Sequence, residues 1–168
     1  MVILGIDPGL NATGYGILST RGSTLHVIAA GDIRPPRQQP LSERLGCIRA
    51  ALSELISRHH PETVALETLF THHGHVTTAA LMGHARGAAC LAAHDHGLPL
   101  AEYPPTQVKK SVTGNGHASK EQVARMVGQW LHHADASWSS DATDALALAI
   151  VHAHAQQQQR RLPAGVLG

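Results

Sequence analysis

The sequence predicts a single α/β domain built on a five-stranded mixed sheet with helices on both faces. Three strand-like segments open the chain, and from residue 41 onward helical and strand-like segments alternate. Consecutive strands with tight connections pair antiparallel, whereas strands separated by helices pair in parallel. The 168 residues are enough to bury such a core without disulfides.

The first half of the chain gives the clearest strand and helix signals. The apolar run over 2–7 predicts a buried strand, which ends at the turn-forming pair Pro8-Gly9. Residues 14–20 and 24–31 predict two further strands joined by a short turn, so the chain starts as an antiparallel meander. Over 41–60 the apolar residues recur with helical spacing on one side, which predicts an amphipathic helix.

The second half alternates short strands with helices. In chain order we predict a strand over 63–67, a helix over 76–96, a strand over 98–102, a helical turn from Pro104, a helix over 119–132 and a helix over 141–157. Ser119 and Gln122 form a capping-box pattern, and Ser139 or Ser140 can cap the last helix. We therefore place the domain at 1–157 and expect the low-complexity tail, 158–168, to be disordered.

Composition narrows the setting in which the chain works. Cys47 and Cys90 lie in separate predicted helices, so free thiols in a reducing cytoplasm are expected. The first residues form a strand without a basic leader, and the longest apolar run, around 145–151, is too short to span a bilayer. We therefore expect a cytoplasmic protein without a membrane partner.

Four acidic residues occupy positions that a folded chain can bring together. Asp7 ends the first strand and Glu67 ends the strand after the first long helix, while Asp141 and Asp144 lie on one face of the first turn of the last helix. If the two strands are parallel neighbours, the first two carboxylates emerge side by side. Alone, each acid is most simply explained as a turn former or helix cap. Their joint placement on three elements favours a shared site.

Clustered carboxylates repel one another, and binding a divalent cation relieves the repulsion. Oxygen ligands without cysteine suit Mg²⁺, for which Mn²⁺ can substitute. Two such ions can activate a water and stabilise the leaving oxygen of a phosphodiester. If the four acids belong to a metal site, the eight remaining acids face thirteen lysines and arginines, which is consistent with a polyanionic substrate.

Five sequence blocks, in order, resemble the RuvC family of Holliday junction resolvases over nearly the whole chain to about residue 155. The blocks are Ile3-Leu-Gly-Ile-Asp-Pro-Gly9 with Thr13-Gly-Tyr-Gly16, Leu66-Glu-Thr-Leu-Phe70, Ala85-Arg-Gly87, Gln107-Val-Lys109 with Gly114, Gly116 and Lys120, and Asp141-Ala-Thr-Asp144-Ala-Leu-Ala147. The first block alone would be weak evidence for the family, because a similar motif also stands at the start of other ribonuclease H-like proteins.

The resemblance implies a ribonuclease H-like fold, and the predicted element order is the one that this fold uses. It implies that the four acids hold the catalytic metals, with two Mg²⁺ per subunit. It further implies a homodimer that cuts four-way DNA junctions symmetrically, leaves 5′-phosphates, and works with the RuvA and RuvB branch-migration proteins in recombination and repair.

Further residues suggest contacts with DNA. Phe70, the only phenylalanine, is either a loop residue folded onto the core or, as the resemblance implies, an aromatic that stacks on bases near the cut site. All three lysines, Lys109, Lys110 and Lys120, flank a glycine loop, which favours phosphate contacts over a merely solvated surface. The histidines at 72, 73 and 75 suggest a loop that approaches phosphates more than they suggest a zinc site.

The helix over 76–96 is rich in alanine and glycine. Packing against the domain's own sheet explains one face, and we assign the remaining apolar surface to a dimer interface.

Three other functions compete with a junction-cutting nuclease. An actin- or sugar-kinase-like ATPase also places an Asp and a Gly/Thr-rich turn after its first strand. Such an ATPase needs two lobes around the nucleotide, and 168 residues supply only one. This interpretation also gives Asp144 and the three lysines no role. A ribonuclease H-like nuclease acting on RNA or RNA–DNA hybrids is a nearer alternative. A DNA-binding module without catalysis is disfavoured, because uncompensated carboxylates repel phosphates.

Overall fold

A computed structural model of the chain describes residues 1–68, 76–132 and 138–161. Its elements are, in order, β1 (Val2–Asp7), β2 (Thr13–Arg21), β3 (Thr24–Ile33), α1 (Leu41–His59), β4 (Thr63–Glu67), α2 (Val76–Asp95), β5 (Leu100–Tyr103), α3 (Pro105–Thr113), α4 (Lys120–Trp130) and α5 (Ser140–Arg161). The predicted tail from residue 162 and the histidine loop lie outside the described residues.

The strands form one sheet in the order β3-β2-β1-β4-β5. The β1–β2 and β2–β3 pairs are antiparallel, and the β1–β4 and β4–β5 pairs are parallel. Apolar side chains of α1 and α2 pack on one face, and those of α3, α4 and α5 pack on the other. The predicted five-stranded mixed sheet with helices on both faces is confirmed.

Strand alternation determines which face receives the acidic residues. Along β1, Leu4 and Ile6 pack toward α1 and α2, whereas Ile3 packs toward α5. Asp7, two residues on from Gly5, therefore falls on the α5 side. Leu66 likewise packs toward α1 and α2, so Glu67 also falls on the α5 side. The strand pattern thus places both acids beneath the same helix.

The segment after β5 is a full helix, α3, and not the single helical turn that we predicted. Pro105 stands in the first turn, where its missing N–H costs nothing, and Val108 and Val112 are buried against the core. Gly114 ends the helix in a left-handed conformation (φ 80°), and its N–H donates to the Lys110 carbonyl at 2.8 Å. This helix carries Lys109 toward the site.

Several element boundaries also differ from the sequence prediction, by one to four residues. Strand β5 spans Leu100–Tyr103, two residues later at its start than predicted. Helix α5 continues to Arg161, four residues past the predicted end, because its glutamines are good helix formers. Gln157 Nε2 in addition donates to the Gly22 carbonyl at 3.0 Å, which ties this part of the helix to the β2–β3 turn.

Among the described helices, none is long and apolar enough to cross a membrane. Cys47 in α1 and Cys90 in α2 are both free thiols, as expected.

Candidate active site

The ends of β1 and β4 bring the first two acids together. The two strands are parallel, and Ile6 lies opposite Leu66 in their register. Asp7 and Glu67 are the next residues on the two strands, so they leave the sheet side by side at its carboxyl edge. The expected side-by-side position of these two residues is therefore confirmed.

The N-terminus of α5 is fixed above this edge by a capping network. Ser139 Oγ accepts a hydrogen bond from the Ala142 amide at 3.0 Å and donates to Asp32 Oδ1 at 2.5 Å. Asp32 Oδ2 also accepts from Arg34 at 2.7 Å. Burial raises the pKa of Asp32, but the hydrogen bonds from Ser139 and Arg34 outweigh it and hold the pKa below its usual value. The anchored first turn is the one that carries the other two acids.

Two strand glycines allow α5 to lie directly on the sheet. A Cβ at Gly5 would stand 2.0 Å from the Ala145 carbonyl oxygen, and one at Gly14 would stand 2.0 Å from the Asp141 carbonyl oxygen. Any larger residue at either position would collide with the helix backbone. Since Gly14 pairs with Asp7 across β1 and β2, this close approach sets the spacing between Asp7 and the acids of α5.

Three of the four acids line one cavity of about 310 Å³. We call it the carboxylate cavity; its polar lining residues are Asp7, Glu67, Asp144, Lys109 and Lys120. Lys120 Nζ lies 3.2 Å from Asp144 Oδ2. Asp141 is not among its lining residues, and lines a neighbouring cavity instead. Both cavities include Met82, so they adjoin one another.

The carboxylate cavity is electrostatically unfavourable for its own acids. Burial, together with the charges of Asp144, Glu67 and Asp141, raises the pKa of Asp7 to about 7. Burial and the charge of Asp144 also raise the pKa of Glu67. The pKa of Lys120 is raised, chiefly by Asp144. The acids are thus close enough to repel one another and need a compensating positive charge.

The donor set fits a hard divalent cation, because it consists of carboxylate oxygens without thiols. Among the described residues, which include all four acids, no three acidic, histidine or cysteine side chains already converge as metal ligands. The Lys120 ammonium group lies 3.2 Å from Asp144 and offsets part of the negative charge that a metal ion would otherwise neutralise. The structure therefore shows a site with the charge and chemistry for a metal, in which a lysine supplies part of the compensation.

The remaining predicted contacts divide into three groups. Lys109 and Lys120 line the carboxylate cavity, whereas Lys110 is exposed and lies outside its lining. Phe70 and the histidines at 72, 73 and 75 lie outside the described residues. Sequence reasoning missed Asp32, although an acid at the end of a strand next to Arg34 was a signal of the same kind as Asp7.

A family model for crossover junction endodeoxyribonuclease RuvC matches residues 3–152 of the chain. A crossover junction endodeoxyribonuclease RuvC from Halorhodospira halophila is 49% identical over 152 residues, which are 90% of this chain and 89% of that protein. One from Bradyrhizobium diazoefficiens is 46% identical over 155 residues, covering 92% of this chain and 87% of that protein.

Among solved structures, the chain is similar to T. thermophilus RuvC in complex with a Holliday junction substrate. The TM-score is 0.88 at 37% sequence identity, and the match covers 95% of this chain and 96% of the other. The likeness thus extends over nearly the whole of both chains.

Proposed function

The chain belongs to the RuvC family of crossover junction endodeoxyribonucleases, and on that premise we propose that it resolves four-way DNA junctions by metal-dependent hydrolysis at the carboxylate cavity. The observation that carries the proposal is the carboxylate cavity, in which the buried Asp7 carboxyl stands with Glu67 and Asp144. Burial and the charges of the neighbouring acids raise the pKa of Asp7 to about 7. Such a group gains most from a cation, and a phosphodiester substrate requires one at the same place.

We propose that all four acids hold the metal, with Asp141 turning toward it from the adjoining cavity by a change of side-chain rotamer. Two Mg²⁺ per subunit, with Mn²⁺ as a substitute, suit the oxygen-only donor set. When bound, these cations supply the Lewis acidity that promotes attack of water and departure of the 3′-oxygen. That P–O3′ bond is the one whose cleavage leaves a 5′-phosphate.

The protein's own groups position the reaction. Asp7 and Glu67 are held by buried strands, and α5 is held by its cap, so little reorganisation is needed when the substrate binds. Lys120 pairs with Asp144 at 3.2 Å. Once a cation offsets the charge of Asp144, the Lys120 ammonium group can pair with an incoming phosphate instead. Lys109, on the α3 wall, adds a second phosphate contact.

We also propose a homodimer formed through the outer face of α2. The inner face of this helix is buried at Ala85, Ala89 and Ala92, whereas Leu91 is 54% exposed. An exposed leucine on an otherwise packed helix is consistent with an interface, and a junction with two symmetric strands needs two symmetric sites. The family resemblance adds RuvA and RuvB as proposed partners.

A substrate panel tests the function. A synthetic four-way junction, a duplex of the same sequence and an RNA–DNA hybrid are each incubated with the protein, with and without Mg²⁺ or Mn²⁺. We expect paired symmetric nicks in the junction only when the metal is present, with 5′-phosphate ends that DNA ligase seals directly. Preferential cleavage of the hybrid would instead support the alternative ribonuclease.

Lys109→Ala should weaken junction binding and abolish efficient cutting of the bound junction. Each lost phosphate contact lowers the slope of log K against log salt by roughly one unit. Lys110→Ala, on the same helix but outside the cavity, should change the slope by a similar amount while the bound junction is still cut. The measurement is a salt titration of binding, followed by single-turnover cleavage. Unchanged slopes in both variants would leave these lysines as solvated surface groups.

Phe70→Ala should reduce cleavage by up to roughly a hundredfold, the loss expected from a base–aromatic stack of about 1–3 kcal/mol. The melting temperature should barely change, and Phe70→Trp should recover much of the activity. Cleavage rates and thermal melts of the three proteins provide the measurement. A loss of about 3–5 kcal/mol of stability in the alanine variant would show that Phe70 is a core residue instead.

A further inference from the structure

A second cavity, of about 500 Å³, adjoins the carboxylate cavity. We call it the arginine cavity, because its walls include Arg34, Arg37 and Arg44. The lining is completed by the turn at residues 9–12, by Leu81 and Met82 of α2 and by Asp141, and Met82 is shared with the carboxylate cavity. It therefore lies beside the carboxylate cavity, and the turn that follows β1 and Asp7 forms part of its wall.

The arginines of this cavity hold more positive charge than the protein compensates. Arg34 pairs with Asp32 at 2.7 Å and lies 3.9 Å from Asp141. Arg37 is exposed and forms no hydrogen bond or ion pair with the residues that the structure describes. Arg44 likewise has no carboxylate partner within the described ranges, so the positive charges of two of the three guanidinium groups are not offset by an ion pair there.

Arg44 is also held in place while keeping a donor unused. Its terminal nitrogen donates to the Leu10 carbonyl at 2.9 Å and to Asn11 Oδ1 at 3.0 Å, which ties α1 to the turn after β1. Its Nε is buried and has no hydrogen-bond partner among the described residues. Arg44 is thus fixed at the wall of the cavity, and no carboxylate among the described residues offsets its positive charge.

We propose that the arginine cavity binds a second backbone phosphate of the DNA junction, next to the phosphate that is cut. Guanidinium groups suit phosphate oxygens because their planar donor pairs match them. With one phosphate at the arginines and another at the carboxylate cavity, the strand is held at two points. Its register over the acids is then fixed, which is a requirement for efficient transfer. The proposal rests on the junction-cutting function.

The test compares Arg37→Gln with Arg58→Gln, a matched control on α1. Arg58 pairs with Glu54 in the last turn of that helix, about 21 Å along the axis from Arg44, and its replacement removes the same charge. Wild-type protein with Mg²⁺ must first cut the four-way junction, and failure there would refute the function itself. Binding is then measured in EDTA over a salt series, so that no DNA is cut.

We expect Arg37→Gln to lower the salt slope by roughly one unit, which corresponds to about eightfold weaker binding at about 0.1 M salt if affinities converge near 1 M. Arg58→Gln should leave both quantities unchanged. Junctions with one methylphosphonate at successive positions then locate the contact. One neutralised phosphate should weaken binding of the wild type but not of Arg37→Gln, since the contact is already absent.

The position of that phosphate identifies its strand. A sensitive phosphate beside the cut, on the cleaved strand, supports the proposal. A sensitive phosphate on the facing strand would overturn it, because the cleaved strand would then not be held at two points. Equal slopes in Arg37→Gln and Arg58→Gln would overturn it. So would a methylphosphonate scan in which wild type and Arg37→Gln show the same sensitivity at every position.

Discussion

Replacing Asp7 with asparagine is expected to abolish junction cleavage and at the same time to raise the melting temperature of the metal-free protein above neutral pH. Asparagine keeps the shape of the side chain but removes the anionic oxygen that a cation needs. Loss of one preorganised electrostatic group typically costs about a hundredfold to a thousandfold in rate. Junction binding should be retained or become tighter, because a negative charge beside a phosphate is removed.

The stability gain follows from the pKa of about 7 for Asp7, against 3.8 for an ordinary aspartate. Between these values the folded protein binds more protons at this position than the unfolded chain, so stability falls as the pH rises through that window. The asparagine variant should therefore melt higher than wild type at pH 8, with the difference vanishing near pH 4. Thermal melts across pH, together with single-turnover cleavage, measure both effects.

Asp95→Asn serves as the matched control. Asp95 is paired with Arg49 on the surface, so its replacement should leave cleavage intact and should not stabilise the protein. Cleavage by Asp7→Asn at near wild-type rate would remove Asp7 from the site. A variant that melts lower than wild type at pH 8 would show that its carboxylate is structurally satisfied and not repelled.

Gly14→Ala should cause the next largest loss, although the residue carries no reactive group. Its new Cβ would meet the Asp141 carbonyl oxygen at 2.0 Å and the Ala142 nitrogen at 2.9 Å, both of them backbone atoms. The first turn of α5 must move, and with it two of the four acids. We expect about 1–3 kcal/mol of lost stability and a roughly hundredfold slower cut, as a displacement of about 1 Å can cause.

Gly46→Ala is the control for that substitution. Gly46 lies within α1 and a Cβ there meets nothing within 4 Å, so alanine should stabilise the helix by about 0.5–1 kcal/mol without changing cleavage. Chemical denaturation and cleavage rates distinguish the two variants. Normal cleavage by Gly14→Ala would show that the approach of α5 to β2 does not set the position of its acids.

The pairing of Asp7 with Glu67 could be predicted from sequence because it depends on strand order alone. Each acid follows an apolar strand, and strands joined through a helix pair in parallel, so the two ends meet. The full length of α3 was missed because nine residues that begin with Pro105, directly after Pro104, give little periodic signal. Its buried Val108 and Val112 belong to a pattern that only the packed core defines.

The depth at which α5 lies could not be derived from residue types in α5. It depends on two glycines in other elements, Gly5 in β1 and Gly14 in β2, which have no side chain to keep the helix away. A glycine inside a strand is a usable signal for close backbone approach, but it does not say which element approaches. The same holds for Asp32 and Ser139, which are 107 residues apart and are joined only by the fold. The arginine cavity likewise combines residues from four separate segments.

The most direct test of the central claim, that a cation relieves the repulsion among the buried acids, is the proton released when Mn²⁺ binds. Calorimetric titrations at pH 6.5 in two buffers of different ionisation enthalpy report that number. Because the pKa of Asp7 is about 7, most of its carboxyl is protonated at this pH and must lose the proton to bind a metal. We predict proton release at pH 6.5, much less at pH 8, and a smaller release from Asp7→Asn. Equal binding heats in both buffers at pH 6.5, or no binding at all, would contradict the claim.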